Sequence, residues 1–408
     1  MNGGSGFLQE LSERRRFGMK PGLETIRGVC AALGDPQLEL RNVIHIAGTN
    51  GKGAVSAILD QVLGGARYTS PHLVKLNERF FLHGAPITDA ALEVSAAKVS
   101  RLAPPDLTFF EALTAVAFDA FAAADPEWTV LETGLGGRLD ATNVCAPKLA
   151  VITKIGLDHC EWLGDTVEKI AAEKAGIIKP GVPVVLARNE RPVIEVVRRA
   201  AAAKGAPFFY APDLASEADI PGDFSLAGSF NRENALTAVA ALKVIGRFDR
   251  QAIGRFSRVV WPGRFQRIGD VIVDGAHNPP AARALVDALS SLVPRPPPFT
   301  LVAGFCGDKD VAEVLKILKP HVARGLAVRT NNPRSLSAAA TAALMESSGI
   351  PAVACDSLGE ALARAEPPTL VCGSLFLAGE AVVELGAYPW GLPRFDPSER
   401  LRPSRTGK

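Results

Sequence analysis

Short apolar runs alternate along the chain with longer stretches whose apolar residues recur every three or four positions. The clearest run, residues 43–47 (VIHIA), is short enough for a buried strand. It passes through Gly48-Thr49-Asn50-Gly51-Lys52-Gly53 into Val55, Ile58, Leu59 and Val62, the spacing of one helix face. Further strands are expected at 128–131, 149–153, within 176–187, and at 271–273, 300–303, 326–328, 351–354 and 369–372, with a short one ending at Thr69 and Ser70. Helices are expected over 8–16, 22–33 and 192–204, and over 108–124 with Phe110, Leu113, Ala117 and Phe121 along one side. A capping box at Asp165-Thr166-Val167-Glu168 opens another helix. An alanine-rich helix to Ile245 follows the run 228–234, and Asn278 caps a helix with Pro279 in its first position.

Strands alternating with helices predict an α/β protein with mainly parallel sheets. The pattern fades over 247–262, and Trp261-Pro262-Gly263-Arg264 reads as a hinge. Two domains are therefore expected, residues 1–262 and a smaller 263–408. Beyond Trp390 the chain turns polar and arginine-rich, the composition of a loose tail.

Strand, glycine-rich turn and helix in that order at 43–63 make a cradle for phosphate. Glycines let backbone N–H groups face an anion, the helix N-terminus adds its positive end, and Lys52 reaches terminal phosphates. The strict P-loop pattern is not met, since Ile46 stands at its first glycine and Gly53 follows the lysine. Glu132 ends a core strand, where a magnesium-holding carboxylate belongs. Thr69 and Ser70 offer hydroxyls at another strand end, and His159 is expected at a strand end like that of Glu132. The run 134–140 (GLGGRLD) is too glycine-rich for a plain connector. Phe109 and Glu111, at the start of their helix, can edge the same site. In the helix after Thr166, Val167, Ile170, Ala171 and Lys174 fall at i, i+3, i+4 and i+7, which turns Lys174 inward. Burial favours a neutral amine, open to modification by carbon dioxide; a lysine snorkelling at the stripe's edge fits the pattern equally.

Charge narrows the partners. Lys plus Arg number 45 against 43 Asp plus Glu, a balance with no bias toward nucleic acid. No run approaches the ~18 consecutive apolar residues of a membrane span, and the N-terminus lacks a signal-peptide core. Six cysteines without a C-x-x-C pair read as thiols of a reducing cytoplasm.

Taken in order, HIAGTNGKG, YTSPHL, TFFEALTAVAF, ETGLGGRLDATN, ITKIGLDH, EKAGIIK, PGRF, VDGAHNP, GDKD and CGSLFLAGE resemble the folylpolyglutamate synthase/dihydrofolate synthase family of the Mur ligase superfamily. The resemblance spans nearly the whole chain. It implies a P-loop-type N-terminal ATPase domain and a smaller Rossmann-like C-terminal domain. It also implies an ATP- and Mg2+-dependent ligase that joins L-glutamate to 7,8-dihydropteroate, to reduced folates, or to both, through an acyl phosphate. By the same resemblance Gly48, Thr49, Asn50, Gly51, Lys52 and Gly53 hold the ATP phosphates, with Asn234, Arg264 and Asp274 as further nucleotide contacts. Ser70, Glu132 and His159 match magnesium positions, Lys174 a lysine that becomes carbamylated, and His277 a motif position near the joint. Lys52, Lys174, His159 and His277 form the catalytic set. Thr108, Phe109, Phe110, Glu111 and Asp140 match the pteroate site. The implied setting is a cytoplasmic monomer acting on small molecules, with neither nucleic acid nor membrane as partner.

Ala54 replaces the family's usual serine, Asn231 its glutamine and Phe230 its frequent histidine, and the link before Tyr68 is short. Two other readings compete. A ligase acting on nucleotide-linked sugar peptides normally carries an additional N-terminal domain, and only about forty residues precede the loop. A nucleotide-binding protein that has lost ligase chemistry has Ala54 as its one hint, against the set Glu132, His159 and Lys174.

Overall fold

Five consecutive buried residues, Val43–Ala47, form β1 in the interior of the larger of two sheets. In the computed structural model, residues 6–8, 10, 22–292, 294, 296–307 and 309–391 are described. The larger sheet also contains β2 Ala66–Tyr68, β3 Phe80–Leu82, β4 Ala85–Pro86, β5 Thr129–Glu132, β6 Pro147–Ile152, β7 Val184–Leu186 and β8 Phe208–Tyr210. Their spatial order is β4-β3-β2-β5-β1-β6-β7-β8. Pairing is parallel from β2 to β8, while β3 and β4 add an antiparallel edge. Because β1 lies between β5 and β6, Ile46 pairs with Glu132 and Ala47 with Ile152. The phosphate-type loop after β1 and the acid ending β5 thus leave the sheet at the same edge.

Strands covered on both faces are mainly apolar, and these are, with His45, Arg67, Thr129 and Glu132 as the buried polar exceptions in β1, β2 and β5. On one face the helices Lys52–Leu63 and Ser229–Val244 bury Ile58, Leu59, Val239 and Leu242 against Ile44, Ile46, Val130 and Val151. On the other, Phe109–Ala124 packs over the β2–β5 side and Val167–Ala175 with Arg191–Ala203 over the β6–β8 side. Phe118 and Phe121 are fully buried there, each contributing ~1.5–3 kcal/mol relative to exposure.

The second sheet comprises β9 Gln266–Ile268, β10 Val271–Val273, β11 Phe299–Ala303, β12 Val322–Ala327, β13 Ala352–Ala354 and β14 Thr369–Cys372, in the order β13-β12-β11-β14-β10-β9. Only β9 runs antiparallel, to β10. Helices cover both faces, with Pro279–Ser290 and Val311–Leu318 on one and Leu375–Glu384 on the other. Asn278 Oδ1 accepts the Ala281 N–H at 2.9 Å, so that helix is capped as its sequence predicts.

Several expectations change. Of the helix expected over 8–16, residues 6–8 and 10 are helical and Leu8 is buried; residues 9 and 11–16 lie outside the described residues, as does the tail past 391. The box at 165–168 does not form. Thr166 is the N-cap and its hydroxyl accepts the Lys169 N–H, which puts a lysine where a reciprocal box needs Glu or Gln. Asp165 instead pairs with Lys169 Nζ at 2.8 Å. The run 228–234 does not precede its helix but supplies its first turns, from Ser229. All six cysteines are unbridged, five buried and Cys160 exposed.

Candidate active site

Gly51 caps the helix Lys52–Leu63 with φ at 88°, a left-handed value that glycine adopts at no steric cost. A Cβ there would also overlap the Asn234 side chain, and one at Gly53 the Trp261 ring. The loop is pinned from β6: the Thr49 and Asn50 N–H groups donate to the Lys154 carbonyl at 2.9 and 3.1 Å, and Thr153 Oγ1 donates to the Asn50 carbonyl at 2.8 Å. Lys52 Nζ folds back to donate to the Gly48 carbonyl at 3.0 Å.

Lys174 Nζ donates to that same carbonyl at 2.8 Å. Its helix buries Ile170, Ala171, Lys174 and Ala175. Lys169 and Glu173 lie off that stripe, paired with Asp165 and Arg138. The helical-face reading of Lys174 therefore holds, and the side chain is 3% exposed. Burial first, and the positive Lys52 second, bring its amine down to about 7.

Glu132, also 3% exposed, accepts the Ser70 N–H at 3.1 Å and stands 4.0 Å from Lys52 Nζ. Burial lifts its carboxyl to about 6 against the downward pull of Lys52, the Ser70 N–H and Arg264. The Arg264 charge couples to Asp274 as well as to Glu132, so the second domain reaches the same centre. Asp274 is fixed by the N–H groups of Phe265 (2.7 Å) and Ala276 (2.8 Å). His277 Nδ1 lies 2.8 Å from the Gly275 carbonyl. A carbonyl only accepts, so Nδ1 carries the proton and Nε2 is left with a lone pair. Burial lowers the His277 imidazole below its usual value, as do Lys309 and Arg264.

His159 departs from expectation. It does not share a strand-end position with Glu132: β6 ends at Ile152, and His159 sits beyond it as N-cap of the short helix Cys160–Leu163, with φ at 51°. Its Nε2 is 3.8 Å from Asp158 Oδ2. Burial lowers its imidazole, and Lys309, Lys174 and Lys52 push the same way, so the ring lies in the same field.

Two family models match the chain, the Mur ligase middle domain over residues 46–242 and the Mur ligase glutamate ligase domain over 263–374. The dihydrofolate synthase/folylpolyglutamate synthase of Bacillus subtilis is 35% identical over 320 residues, covering 68% of this chain and 74% of that protein. The chain belongs to the folylpolyglutamate synthase/dihydrofolate synthase family. Among solved structures of this family, E. coli FolC in complex with DHPP and ADP superimposes with a TM-score of 0.84 at 31% identity, over 95% of this chain and 98% of that one. The Yersinia pestis bifunctional folylpolyglutamate synthase/dihydrofolate synthase complexed with AMPPNP and Mn ion gives 0.81 at 28%, over 95% and 98%.

A family member needs a divalent cation beside its phosphates, and the donors present suit one. Glu132 is a buried carboxylate flanked by Ser70, with Lys52 Nζ 4.0 Å away rather than in hydrogen-bond contact. No group of three or more His, Cys, Asp and Glu side chains that could hold a metal occurs among the described residues. Such a sparse set fits magnesium, which keeps waters and phosphate oxygens as ligands.

The family's pteroate positions prove to be structural as well. Thr108 and Glu111 form a reciprocal capping box, Glu111 Oε2 accepting the Thr108 N–H at 2.9 Å and Thr108 Oγ1 the Glu111 N–H at 3.3 Å. Phe110 packs against Gly134 and the Tyr68 ring, and Arg79 lies over Phe109 at 5.8 Å. Buried Asp140 accepts the Leu135 N–H (2.8 Å), the Thr142 N–H (3.0 Å) and the Thr142 hydroxyl (2.5 Å), stapling the loop 134–142. Behind it, His45 of β1 stands 2.8 Å from Thr142 Oγ1. The Thr142 hydroxyl already donates to Asp140, so His45 Nε2 is the donor. His45 and Thr153 support the site without having been singled out by sequence, and Trp261 does so although sequence marked it only as part of a hinge; the visible signal for His45 was a histidine inside an otherwise apolar strand.

Proposed function

We propose that this protein is a magnesium- and ATP-dependent ligase joining L-glutamate to 7,8-dihydropteroate, to reduced folates, or to both. The observation that carries this reading is the convergence of Lys52 and Lys174 on the Gly48 carbonyl, beside buried Glu132 and the Arg264–Asp274 pair of the other domain. We assign residues 1–262 to nucleotide and pteroate binding and 263–408 to glutamate ligation.

In this reading residues 48–53 hold the ATP phosphates with Asn234, Arg264 and Asp274, and Lys52 swings from Gly48 to the terminal phosphate. The γ-phosphoryl group passes to the substrate carboxylate, giving an acyl phosphate and ADP. The glutamate amine then attacks the acyl carbon, forming the amide and releasing phosphate. His277, neutral near pH 7 with Nε2 open, accepts the proton lost by the amine. A bound magnesium ion would neutralise phosphate oxygens, and Glu132, Ser70 and His159 are the residues that would hold it. Carbamylation converts Lys174 from a cation crowding Lys52 into an anion attracting it. Phe109 and Phe110 supply the aromatic wall for the pteroate, and the Thr108–Glu111 box and Asp140 keep that wall in place.

We propose a cytoplasmic setting, supported by six unbridged cysteines, and a monomeric state. No helix among the described residues is long and apolar enough to cross a membrane. The deciding experiment measures ADP release with ATP, magnesium and glutamate, using 7,8-dihydropteroate or tetrahydrofolate as acceptor. Turnover with one or both identifies the activity; folded protein that turns over neither overturns the reading.

A further inference from the structure

The end of the described chain folds back onto the first domain through an unbroken series of contacts. Tyr388 donates its hydroxyl to Glu78 Oε1 at 2.6 Å. The Tyr388 ring meets Trp390 edge-on at 5.6 Å, and Trp390 meets Phe81 edge-on at 5.1 Å. Phe81 carries the Arg67 guanidinium 3.9 Å from its centroid, and the same guanidinium lies 5.4 Å from the Trp261 ring. Trp261 packs on Gly53, in the first turn of the phosphate-loop helix.

Arg67 makes this series more than adjacency. It is 3% exposed, its Nη1 is 3.6 Å from Asp60, and its Nε and Nη2 have no hydrogen-bond partner among the described residues. A buried cation with so few hydrogen bonds is held by the Asp60 carboxylate together with the π faces beside it. Phe81 and Arg67 therefore link Trp390 to the ring that covers Gly53.

A second branch starts at the same tyrosine. Besides the Tyr388 hydroxyl, Glu78 accepts the N–H groups of Leu73, Val74 and Lys75 at 2.6, 2.8 and 2.7 Å. That turn follows Ser70, whose own N–H rests on Glu132. Leu73 is wedged between Gly263 of the hinge and Gly379 of the helix Leu375–Glu384. Both branches thus end on elements of the phosphate and metal site rather than in general core.

We propose that Tyr388 and Trp390 are positioning residues for nucleotide binding, setting the Trp261–Gly53 contact and the Ser70–Glu132 contact from the far end of the chain. The proposal rests on the ligase reading above. It is tested in the full chain with Trp390→Ala, Trp390→Phe and Tyr388→Phe, measuring the Kd for ADP with magnesium, KM for ATP and for glutamate, kcat, and Tm. Trp390→Ala should raise the ADP Kd and the ATP KM at least fivefold with the glutamate KM within twofold, and Trp390→Phe should restore both. Tyr388→Phe, which removes one oxygen and leaves the ring, should shift the same two constants threefold or more and serves if the alanine variant fails to fold. Wild-type ADP affinity and ATP KM in both folded variants, whatever their Tm, would make the series a structural brace and overturn the proposal. Wild-type protein that binds no ADP would instead overturn the ligase reading, and this proposal with it.

Discussion

Lys174 shows what one buried amine can report. Its pKa falls from 10.5 in the unfolded chain to about 7 in the fold. Between those values the unfolded chain holds a proton that the folded protein has released, so stability rises with pH from 7 toward 10.5 and is lost as pH falls through 7. Chemical denaturation should show the wild type gaining on Lys174→Met between pH 7 and 9, by roughly 1.4 kcal/mol per pH unit at most; parallel curves would refute it. The free amine near neutrality should also take up carbon dioxide, giving a carbamate signal with 13C-labelled bicarbonate by NMR that Lys174→Ala lacks along with turnover. Asp140 makes the complementary case. Asp140→Ala strands buried N–H and hydroxyl groups of Leu135 and Thr142, at ~1–3 kcal/mol for each unsatisfied group, so a drop in Tm should accompany any loss of acceptor binding. The inward turn of Lys174 was legible because it needs only one helix's periodicity. The role of Asp140 was not, since its partners depend on how a loop closes and on His45, far away in sequence.

At the scale of elements, long periodic segments and their caps were the readable part. Phe109–Ala124 and Asn278 with its helix stand where their patterns put them. The Thr108-x-x-Glu111 spacing makes the real capping box, while 165–168 has the composition of one with its register displaced by a residue. Thr108→Ala should therefore lower stability by about 1 kcal/mol and Asp165→Ala by much less, readable as two urea midpoints. The strands that escaped notice, β3, β4, β8 and β9, have two or three residues each. Runs that short contain no period to detect, and β4, β8 and β9 lie at sheet edges, outside the buried apolar runs that mark a core strand. His159 was misplaced for a related reason: sequence shows where a strand's apolar run stops, but not how far the following loop travels before presenting a side chain.

For the whole molecule, two sheets contribute charge to one centre, Lys52 and Glu132 from one side and Arg264 and Asp274 from the other. Ligands neutralising that centre should draw the domains together about the segment at Gly263. Small-angle scattering with an ATP analogue, magnesium and pteroate should give a smaller radius of gyration than the ligand-free protein; superimposable profiles would exclude closure. The thiol inventory gives this motion a convenient observer. Five cysteines are buried and Cys160 alone is exposed, next in sequence to His159, whose ring feels the charge of Lys309 from the second domain. A maleimide dye added to the native protein would consequently attach at one place without engineering, one residue from His159. Its emission would then record opening and closing in real time, one molecule at a time.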